Sequence, residues 1–320
     1  MIYLNDSHIG EIGVDWRELA GTIRQVLRLY GTEEVAQPLK PYLRFRDPAN
    51  RIIAMPAFVG GEVEACGIKW IASYPGNPAR GLPRAHNTIV LNDPATGEPA
   101  ACFRSNALNA LRTAAVSGVM LDAWAAWRGT PSFSAGIVGF GPIGRAHLEM
   151  LDSLFGERLE TVRLFDPRGV DLQDFDADMR ARTFVCRDWR EIYDRSDVFI
   201  TCTTARERYI DRSPRPGALL LNVSLRDYVP DAVKDVNAVV VDDWTEVCRE
   251  NTDIERLHLL HGWTRERAVT LKEAVIGGGL ARFVPGEPVF FNPMGLAAFD
   301  IGVAAHYGRK ALQTGVGVRL

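Results

Sequence analysis

The second half of the chain repeats a pattern of short apolar runs separated by longer stretches with helical periodicity. The runs are rich in β-branched residues and almost wholly apolar, which is typical of strands covered by helices on both faces. Their alternation with helical stretches predicts βαβ units and a doubly wound parallel sheet. The predicted strands lie at 134–139, 161–165, 183–186, 197–203, 218–223 and 238–241.

The first hundred residues have a different pattern, in which one amphipathic helix precedes extended segments divided by turns that contain glycine and proline. The predicted elements are a helix at 15–30, strands at 51–55, 67–73, 88–91 and 100–103, and a long helix at 106–127. We therefore predict an α/β protein with two domains. A smaller α+β domain at 1–128 is rejoined by a C-terminal helix at 296–320, and a Rossmann-type domain occupies 129–295.

The sequence Gly139-Phe-Gly-Pro-Ile-Gly144 follows the first strand of the predicted parallel sheet and begins the next helix. In this position the pattern is typical of a turn that binds the pyrophosphate of a dinucleotide on free N–H groups of the helix. Gly141 would let the backbone approach the pyrophosphate, and Pro142 and Ile143 begin the helix, where proline loses no hydrogen bond. The alternative is a glycine turn in a sheet protein that binds no dinucleotide.

Asp166 ends the second predicted strand, 22 residues after Gly144 (166 − 144). An acidic side chain at this place accepts hydrogen bonds from the ribose of the adenosine and repels a 2′-phosphate, so the sequence favours NAD over NADP. Arg168, two residues later, keeps NADP open as the alternative.

Composition excludes several classes of protein. The chain has 320 residues, 47% of them hydrophobic, and 37 basic against 40 acidic residues give a formal net charge of −3. This near-neutral balance disfavours nucleic-acid and anionic-membrane partners and favours small molecules.

Five scattered cysteines without a C-x-x-C pair, and no leader or membrane-spanning run, predict a soluble cytoplasmic protein with reduced thiols. His258 and His261 fit a solvated helix face better than a metal site.

Cations stand within apolar or extended segments of the first domain. Lys69, between Ile68 and Trp70, would lose its hydration unless it met an anion. Each cation alone fits a salt bridge or a surface side chain better than a ligand site. As a group they favour a ligand with more than one carboxylate, which guanidinium groups bind in bidentate fashion. The group consists of Lys40, Arg44, Lys69, Arg84 and Arg112.

Polar side chains follow the fourth and fifth predicted strands, at the edge where doubly wound sheets bind ligands. Thr201-Cys-Thr-Thr204 offers hydroxyl groups, and Asn222-Val-Ser-Leu-Arg-Asp227 ends in a carboxylate. Asp227 could move a proton to or from a substrate amine. It fits an N-cap of the following helix equally well.

Four of the cations in the first domain, Lys40, Arg44, Lys69 and Arg112, belong to segments in which the chain resembles the ornithine cyclodeaminase and mu-crystallin family over essentially its whole length. The matching segments lie at 37–44 (QPLKPYLR), 51–56 (RIIAMP), 67–71 (GIKWI), 91–94 (LNDP), 112–117 (RTAAVS), 240–244 (VVDDW) and 292–295 (NPMG).

The resemblance implies a homodimer formed through the first domain and an active site that faces an NAD-binding domain. By motif position it implies carboxylate-binding arginines at Arg44 and Arg112, an active-site lysine at Lys69 and a catalytic aspartate at Asp227. The implied cofactor contacts are the turn from Gly139 to Gly144, Asp166, Thr203, Val223, Ser224 and Met294.

Departures from the usual family pattern bear on the substrate. Arg84 replaces a small hydroxyl residue, Asp231 replaces a lysine, and Leu225 and Arg226 replace small residues. They disfavour ornithine, which carries a side-chain cation, and favour a ligand with additional carboxylates. They resemble the branch of the family that forms 2,3-diaminopropionate for siderophores or peptide natural products.

That branch implies NAD-dependent cleavage of a glutamate–diaminopropionate adduct to 2-oxoglutarate and diaminopropionate. The alternatives are an ornithine cyclodeaminase, a ketimine reductase or alanine dehydrogenase, and a non-enzymatic dinucleotide-binding protein like mu-crystallin. His86, close to Arg84 in the sequence, either contacts the substrate or forms part of the wall of the site.

Overall fold

The computed structural model describes residues 1–173 and 175–320, which form two compact units. Unit 1 comprises Met1–Ala115 and Gly295–Leu320, and unit 2 comprises Val116–Met294. The strands are β1 (Ile2–Asn5), β2 (Val35–Ala36), β3 (Tyr42–Leu43), β4 (Arg51–Val59), β5 (Ala65–Ser73), β6 (Ala85–Asn92), β7 (Pro99–Arg104), β8 (Phe133–Val138), β9 (Leu159–Phe165), β10 (Thr183–Val185), β11 (Val198–Thr201), β12 (Leu219–Asn222), β13 (Ala238–Val241), β14 (Ala268–Thr270), β15 (Val289–Asn292) and β16 (Val318–Arg319). The helices are α1 (Asp6–Ile12), α2 (Trp16–Leu29), α3 (Ala107–Arg128), α4 (Pro142–Phe155), α5 (Ala177–Arg182), α6 (Trp189–Arg195), α7 (Pro230–Val233), α8 (Trp244–Val247), α9 (Asp253–His261), α10 (Leu271–Val275) and α11 (Ala297–Thr314).

Unit 1 is built on one mixed sheet with the strand order β16-β1-β7-β6-β5-β4-β2, in which β3 also pairs with β4. Burial alternates along β4 and β6, because successive side chains of a strand point to opposite faces. Met55, Lys69 and Ile89 are register partners and lie on the same, inner face. Helix α11 packs on β4, β5 and β6 and contacts Lys69 through Asp300. The C-terminal helix therefore covers the inner face of the sheet of unit 1.

Unit 2 is built on a parallel sheet with the strand order β10-β9-β8-β11-β12-β15-β13-β14. Strands β8, β11, β12 and β13 are buried along their whole length, as their continuous apolar runs predict. The first strand, β8, lies between β9 and β11, so the strand order reverses at this point. In doubly wound sheets ligands bind beyond the carboxyl ends of the strands at such a reversal.

The predicted fold class is confirmed: a doubly wound α/β unit accompanies a second, smaller α/β unit with a mixed sheet. Strands β1, β2, β3, β14, β15 and β16 were not predicted. β16 lies within the range 296–320 that was predicted as helix, because α11 already ends at Thr314. β15 is a run of four buried residues paired with β12 and β13 on either side. So short an apolar run has no period that distinguishes a strand from a buried turn, and only its pairing identifies it.

The boundary between the units lies inside helix α3, after Ala115, and not near Gly129 where the helical pattern ends. The first turns of α3 bond within unit 1, where Arg112 donates to Asp300. The later turns pack within unit 2, where Gly118 lies against Met150 of α4. A break in helical periodicity is visible in the sequence, whereas a change of packing partner within one helix is not.

No helix in the described part of the chain combines the length and the apolar character needed to cross a membrane.

Candidate active site

The glycine turn of unit 2 has the backbone that a dinucleotide site requires. Gly139 adopts a φ of 90°, and a Cβ there would lie 2.5 Å from the carbonyl oxygen of Cys202. A Cβ on Gly144 would lie 2.2 Å from the oxygen of Gly139, so helix α4 can approach β8 only without a side chain. Among the described residues, only the Arg168 guanidinium lies near the missing Cβ of Gly141, the N-cap of α4, at 3.8 Å. This space beside free N–H groups fits a pyrophosphate.

Asp166 follows β9 and is held as a carboxylate. Its Oδ2 accepts the N–H of Phe140 at 2.8 Å and Nη2 of Arg168 at 3.0 Å, and its Oδ1 accepts the backbone N–H and Nε of Arg168 at 2.9 and 3.0 Å. Burial alone would raise the pKa of Asp166, but these hydrogen bonds and the Arg168 charge lower it to about 2. The side chain is therefore an anion at neutral pH, as acceptance of ribose hydroxyls requires.

Asp227 is the buried carboxylate at the carboxyl ends of β11 and β12, and only 1% of it is exposed. Thr203 donates its hydroxyl to Oδ1, and Ser224 donates its hydroxyl to Oδ2. Burial raises the pKa of Asp227 above its usual value, although these hydrogen bonds partly oppose the shift. The alternative role as an N-cap is wrong, because helix α7 begins at Pro230 with Val229 as its N-cap.

The turn that holds Asp227 is stabilised by Asp253, which was not predicted from the sequence. Leu225 adopts a φ of 66°, a left-handed conformation that is strained for a residue with a side chain. Oδ2 of Asp253 accepts the N–H groups of Asp227 and Tyr228, both at 3.1 Å, and Oδ1 accepts Nε of Arg208 at 2.7 Å. Burial raises the pKa of Asp253 to about 6. Asp253 is 26 residues from Asp227, and no local pattern indicates the contact.

The other predicted cofactor residues of unit 2 follow the carboxyl ends of three strands. Thr203 follows β11, Val223 and Ser224 follow β12, and Met294 follows β15. Ser224 Oγ also accepts the N–H of Thr203 at 3.1 Å, which links the first two of these segments. Because β8 and β9 end at the same edge of the parallel sheet, Gly139 and Asp166 lie at that edge as well.

Unit 1 contains a buried cluster of two cations, one carboxylate and one amide, which we call the Lys69 cluster. Nζ of Lys69 donates to Oδ1 of Asp300 at 2.9 Å and to Oδ1 of Asn109 at 2.6 Å. Arg112 donates to the same two oxygens, through Nε at 2.8 Å and Nη2 at 3.1 Å. Asp300 and Asn109 were not predicted from the sequence. A carboxylate within the apolar start of α11 and an amide one turn before Arg112 are the signals that could have revealed them.

The electrostatics of the Lys69 cluster are dominated by burial. Burial lowers the pKa of Lys69 to about 8, the charges of Arg112 and Lys40 act in the same direction, and Asp300 opposes them. Burial alone would raise the pKa of Asp300, but Arg112 and Lys69 outweigh it, so the pKa lies below its usual value. Lys40 is buried and donates to the carbonyl oxygen of Gly295 at 2.7 Å. Two cations against one carboxylate leave the Lys69 cluster with an excess positive charge.

Three arginines lie at one end of the sheet of unit 1, and we call them the arginine group. The guanidinium groups of Arg44 and Arg51 lie 5.0 and 5.6 Å from the ring centre of Tyr42. Strand register places Arg51 opposite Ser73, which pairs with Ala85, the neighbour of Arg84. Partial desolvation and the charge of Arg51 lower the pKa of Arg84. The structure therefore places both Arg44 and Arg84 near Arg51, which was not selected from the sequence.

The histidines singled out in the sequence have ordinary contacts. His258 shares a hydrogen bond with the carbonyl oxygen of Trp263 at 2.6 Å, and His261 lies 3.5 Å from the carboxylate of Asp231. Within the described residues no cluster of side chains suited to a metal ion occurs. His86 is exposed and lines a cavity of about 480 Å³ together with Asn87 and Arg104.

Comparison with known proteins identifies the family of this chain. The model of the ornithine cyclodeaminase/mu-crystallin family matches residues 5–313. The chain belongs to this family. The resemblance noted in the sequence is thus confirmed over nearly the whole chain.

Within the ornithine cyclodeaminase/mu-crystallin family the chain is similar to proteins with several activities. It is 34% identical to N-((2S)-2-amino-2-carboxyethyl)-L-glutamate dehydrogenase of Staphylococcus aureus, across 100% of this chain and 98% of that protein. It is 26% identical to alanine dehydrogenase of Archaeoglobus fulgidus, across 95% and 93% of the two chains. The solved structure of Thermococcus litoralis Δ1-pyrroline-2-carboxylate reductase in complex with NADH and L-proline superposes with a TM-score of 0.87 at 27% identity and covers both chains completely.

Proposed function

We propose that this family member is an NAD-dependent dehydrogenase that oxidises a carbon–nitrogen bond of an amino acid with several carboxylates. Its proposed substrate is the adduct in which glutamate and 2,3-diaminopropionate share one secondary amine. The 34% identity to the Staphylococcus aureus dehydrogenase over the full length supports this reaction class. Two cationic groups of unit 1, the Lys69 cluster and the arginine group, support the multi-carboxylate substrate.

The spacing of these two groups suits a ligand with separated carboxylates. Lys69 and Ser73 lie on the same face of β5, four residues and therefore roughly 13 Å apart along the strand. Arg51 is opposite Ser73. The arginine group therefore lies roughly 13 Å from the Lys69 cluster, the length of four residues along a strand. Alanine and proline carry one carboxylate, whereas the adduct carries three. Ornithine carries a second amine, whose positive charge the arginine group would repel.

We assign the cofactor to the residues at the carboxyl edge of the sheet of unit 2. The turn from Gly139 to Gly144 would hold the pyrophosphate, and the ionised Asp166 would accept the ribose hydroxyls and disfavour a 2′-phosphate. Thr203, Val223, Ser224 and Met294 would form the remaining contacts. Bound NAD+ supplies the acceptor for the hydride of the glutamyl α-carbon.

The protein side chains position the substrate and move protons. Lys69 and Arg112 hold one carboxylate, and Arg44 and Arg84 hold another, which orients the α-hydrogen. Asp227 takes the proton of the bridging amine and later assists the attack of water on the resulting carbon–nitrogen double bond. Adduct, NAD+ and water then give 2-oxoglutarate, 2,3-diaminopropionate, NADH and one proton. The diaminopropionate is a building block for siderophores or peptide natural products.

The substrate proposal is tested by offering the purified protein the adduct with NAD+ or NADP+, and ornithine or alanine with NAD+ in parallel reactions. Reduced cofactor, 2-oxoglutarate and diaminopropionate are expected with the adduct, at a higher kcat/KM with NAD+ than with NADP+. Proline formed from ornithine without net reduction would instead show a cyclodeaminase. Reduction of Δ1-pyrroline-2-carboxylate by NADH, without adduct turnover, would show a reductase.

We also propose that the protein is a homodimer formed through the outer face of the sheet of unit 1. The outward residues of β4 and β5 are mostly apolar and half-buried, and they include Pro56, Phe58 and Ile68. Trp70 stands among them with 42% of its surface exposed. A continuous apolar face of this kind is typical of an interface between subunits.

Replacing Trp70 with glutamate is expected to convert the dimer to monomer, because a carboxylate in the centre of an apolar interface loses its hydration. The measurement is the molar mass by light scattering after size-exclusion chromatography. Leu259→Glu, at an exposed leucine of unit 2, is the control and should leave the mass unchanged. A monomeric wild-type protein, or a dimer that persists in W70E, would contradict this interface.

A further inference from the structure

Asp300 joins three elements of unit 1 at one oxygen atom. It lies in the first part of α11, only 2% of it is exposed, and its Oδ1 accepts from Lys69 on β5 and Arg112 on α3. Asn109 accepts from the same two cations at its own Oδ1. Two oxygen atoms therefore bridge one ammonium and one guanidinium group, which fixes the distance between the two cations.

Within residues 1–173 and 175–320, each cation retains hydrogen-bond donors for a ligand. The ammonium group of Lys69 has three N–H donors, and two of them bond to Asn109 and Asp300. Arg112 has five N–H donors and uses Nε and one of those on Nη2. Among the described residues, Oδ2 of Asp300 is buried and has no hydrogen-bond partner. The carboxylate therefore forms its hydrogen bonds with the two cations through Oδ1.

The charges of the cluster show what Asp300 adds. Without its carboxylate, Lys69 and Arg112 would be two like charges held close together in a buried site. Burial and the charges of Arg112 and Lys40 all favour the neutral form of Lys69, and Asp300 is the group that favours the ammonium form. With Asp300 present, both cations stay charged and their sum exceeds its charge by one, which suits one carboxylate of a ligand.

We propose that Asp300 is a positioning residue for substrate recognition, which holds Lys69 charged and aligned with Arg112 so that the two cations bind one carboxylate together. Asp300 itself does not contact the substrate. The proposal rests on the proposed function for the identity of the ligand, but the effect on Lys69 is a property of the protein alone. Neither the motifs nor the cation pattern of the sequence indicates this role.

Asp300→Asn separates charge from hydrogen bonding. The amide oxygen can occupy the Oδ1 position and keep both hydrogen bonds, while the amide nitrogen occupies the unpartnered Oδ2 position. Asp300→Ala removes the hydrogen bonds as well. Tyr307→Phe is the matched control on the same helix, because it deletes a partly buried hydrogen bond from the hydroxyl to the oxygen of Gly13 without touching the Lys69 cluster.

The first readout is the titration of Lys69 in lysine-labelled protein by NMR, which is tractable because the chain has five lysines. Lys69→Met assigns the signal. Lys69 is expected to titrate near pH 8 in the wild type and in Y307F, and at a lower pH in D300N. An unchanged titration in D300N would overturn the proposal, whether or not the protein turns over the adduct.

The second readout is kinetic and uses the adduct with NAD+. In D300N the alkaline limb of kcat/KM is expected to move to lower pH, because Lys69 loses its proton earlier, and KM should rise more than kcat falls. D300A should lose on the order of 10²-fold in kcat/KM at neutral pH, since both cations also lose their alignment. A uniform loss with no pH shift, equal in D300N and Y307F, would show a merely structural role. Absence of adduct turnover in the wild type would count against the proposed function and not against the effect on Lys69.

Discussion

Asp227→Asn is expected to lower kcat by about 10²- to 10⁴-fold, the usual contribution of a general acid–base group. The asparagine has the same shape, and its amide can still bond to the hydroxyl groups of Thr203 and Ser224, but it cannot accept a proton from the substrate amine. Binding of NAD+, measured by fluorescence titration, is expected to remain unchanged. Near-normal turnover in D227N would remove Asp227 from the mechanism.

Two further measurements separate the chemical role of Asp227 from a structural one. Because burial raises its pKa, the acidic limb of the wild-type kcat/KM should lie above the ~3.9 typical of an exposed aspartate. The carboxylate must be ionised to take a proton, so activity falls as the pH decreases through this pKa. Asp235→Asn, at an exposed aspartate eight residues later, should change neither kcat nor the pH profile.

The same raised pKa predicts the stability of D227N. Where the pKa of a group is higher in the folded than in the unfolded protein, the free energy of unfolding decreases as the pH rises through the pKa of the folded state. At neutral pH the buried anion of Asp227 therefore costs free energy of folding, and asparagine does not. D227N is expected to unfold at the same or a higher temperature than the wild type, which a thermal melt at neutral pH would measure. A clearly lower melting temperature would indicate that Asp227 supports the fold.

Lys69→Met is expected to lower kcat/KM for the adduct by about 30-fold to several thousand-fold, the equivalent of about 2–5 kcal/mol for losing a buried charge that pairs with a ligand. KM should rise together with the loss of kcat, because Arg112 alone no longer fixes the carboxylate. The free energy of unfolding should also fall by about 1–3 kcal/mol, less than the ~3–5 kcal/mol of a fully stranded buried charge, because Arg112 still pairs with Asp300.

Lys310→Met is the matched control for Lys69→Met. Lys310 lies on α11 and pairs with Glu18 at 2.6 Å, with both side chains partly exposed. Exposed ion pairs contribute about 0–1 kcal/mol, so this variant should stay close to the wild type in both stability and kcat/KM. Equal kinetic losses in K69M and K310M would show that the effect does not come from the Lys69 cluster.

The candidate site could be predicted from the sequence wherever its chemistry depends on neighbouring residues. The glycine turn from Gly139 to Gly144 and the acidic Asp166 are separated by one helix and one strand, and both have the predicted setting in unit 2. Asp227 was placed correctly after the fifth strand, but its role remained ambiguous until the helix start at Pro230 excluded an N-cap.

Residues that act at a distance along the chain could not be predicted. Asp300 is 231 positions from Lys69, and Asp253 is 26 from Asp227. No periodicity connects such pairs, because the contact depends on how separate elements pack. Arg51 was overlooked for a similar reason: its nearness to Arg44 and Arg84 follows from strand register, which the sequence does not display.

Local patterns in the chain predict the class of this protein: the alternation of buried strands and helices, the dinucleotide turn at the first strand, and the family to which the chain belongs. These depend on local patterns that a single stretch of chain contains. The packing of the elements, which the sequence does not display, divides α3 between the units and places Asp300 against Lys69 and Arg112. The reason is physical: the pKa of a buried cation depends on every charge around it, and those charges come from elements hundreds of residues apart.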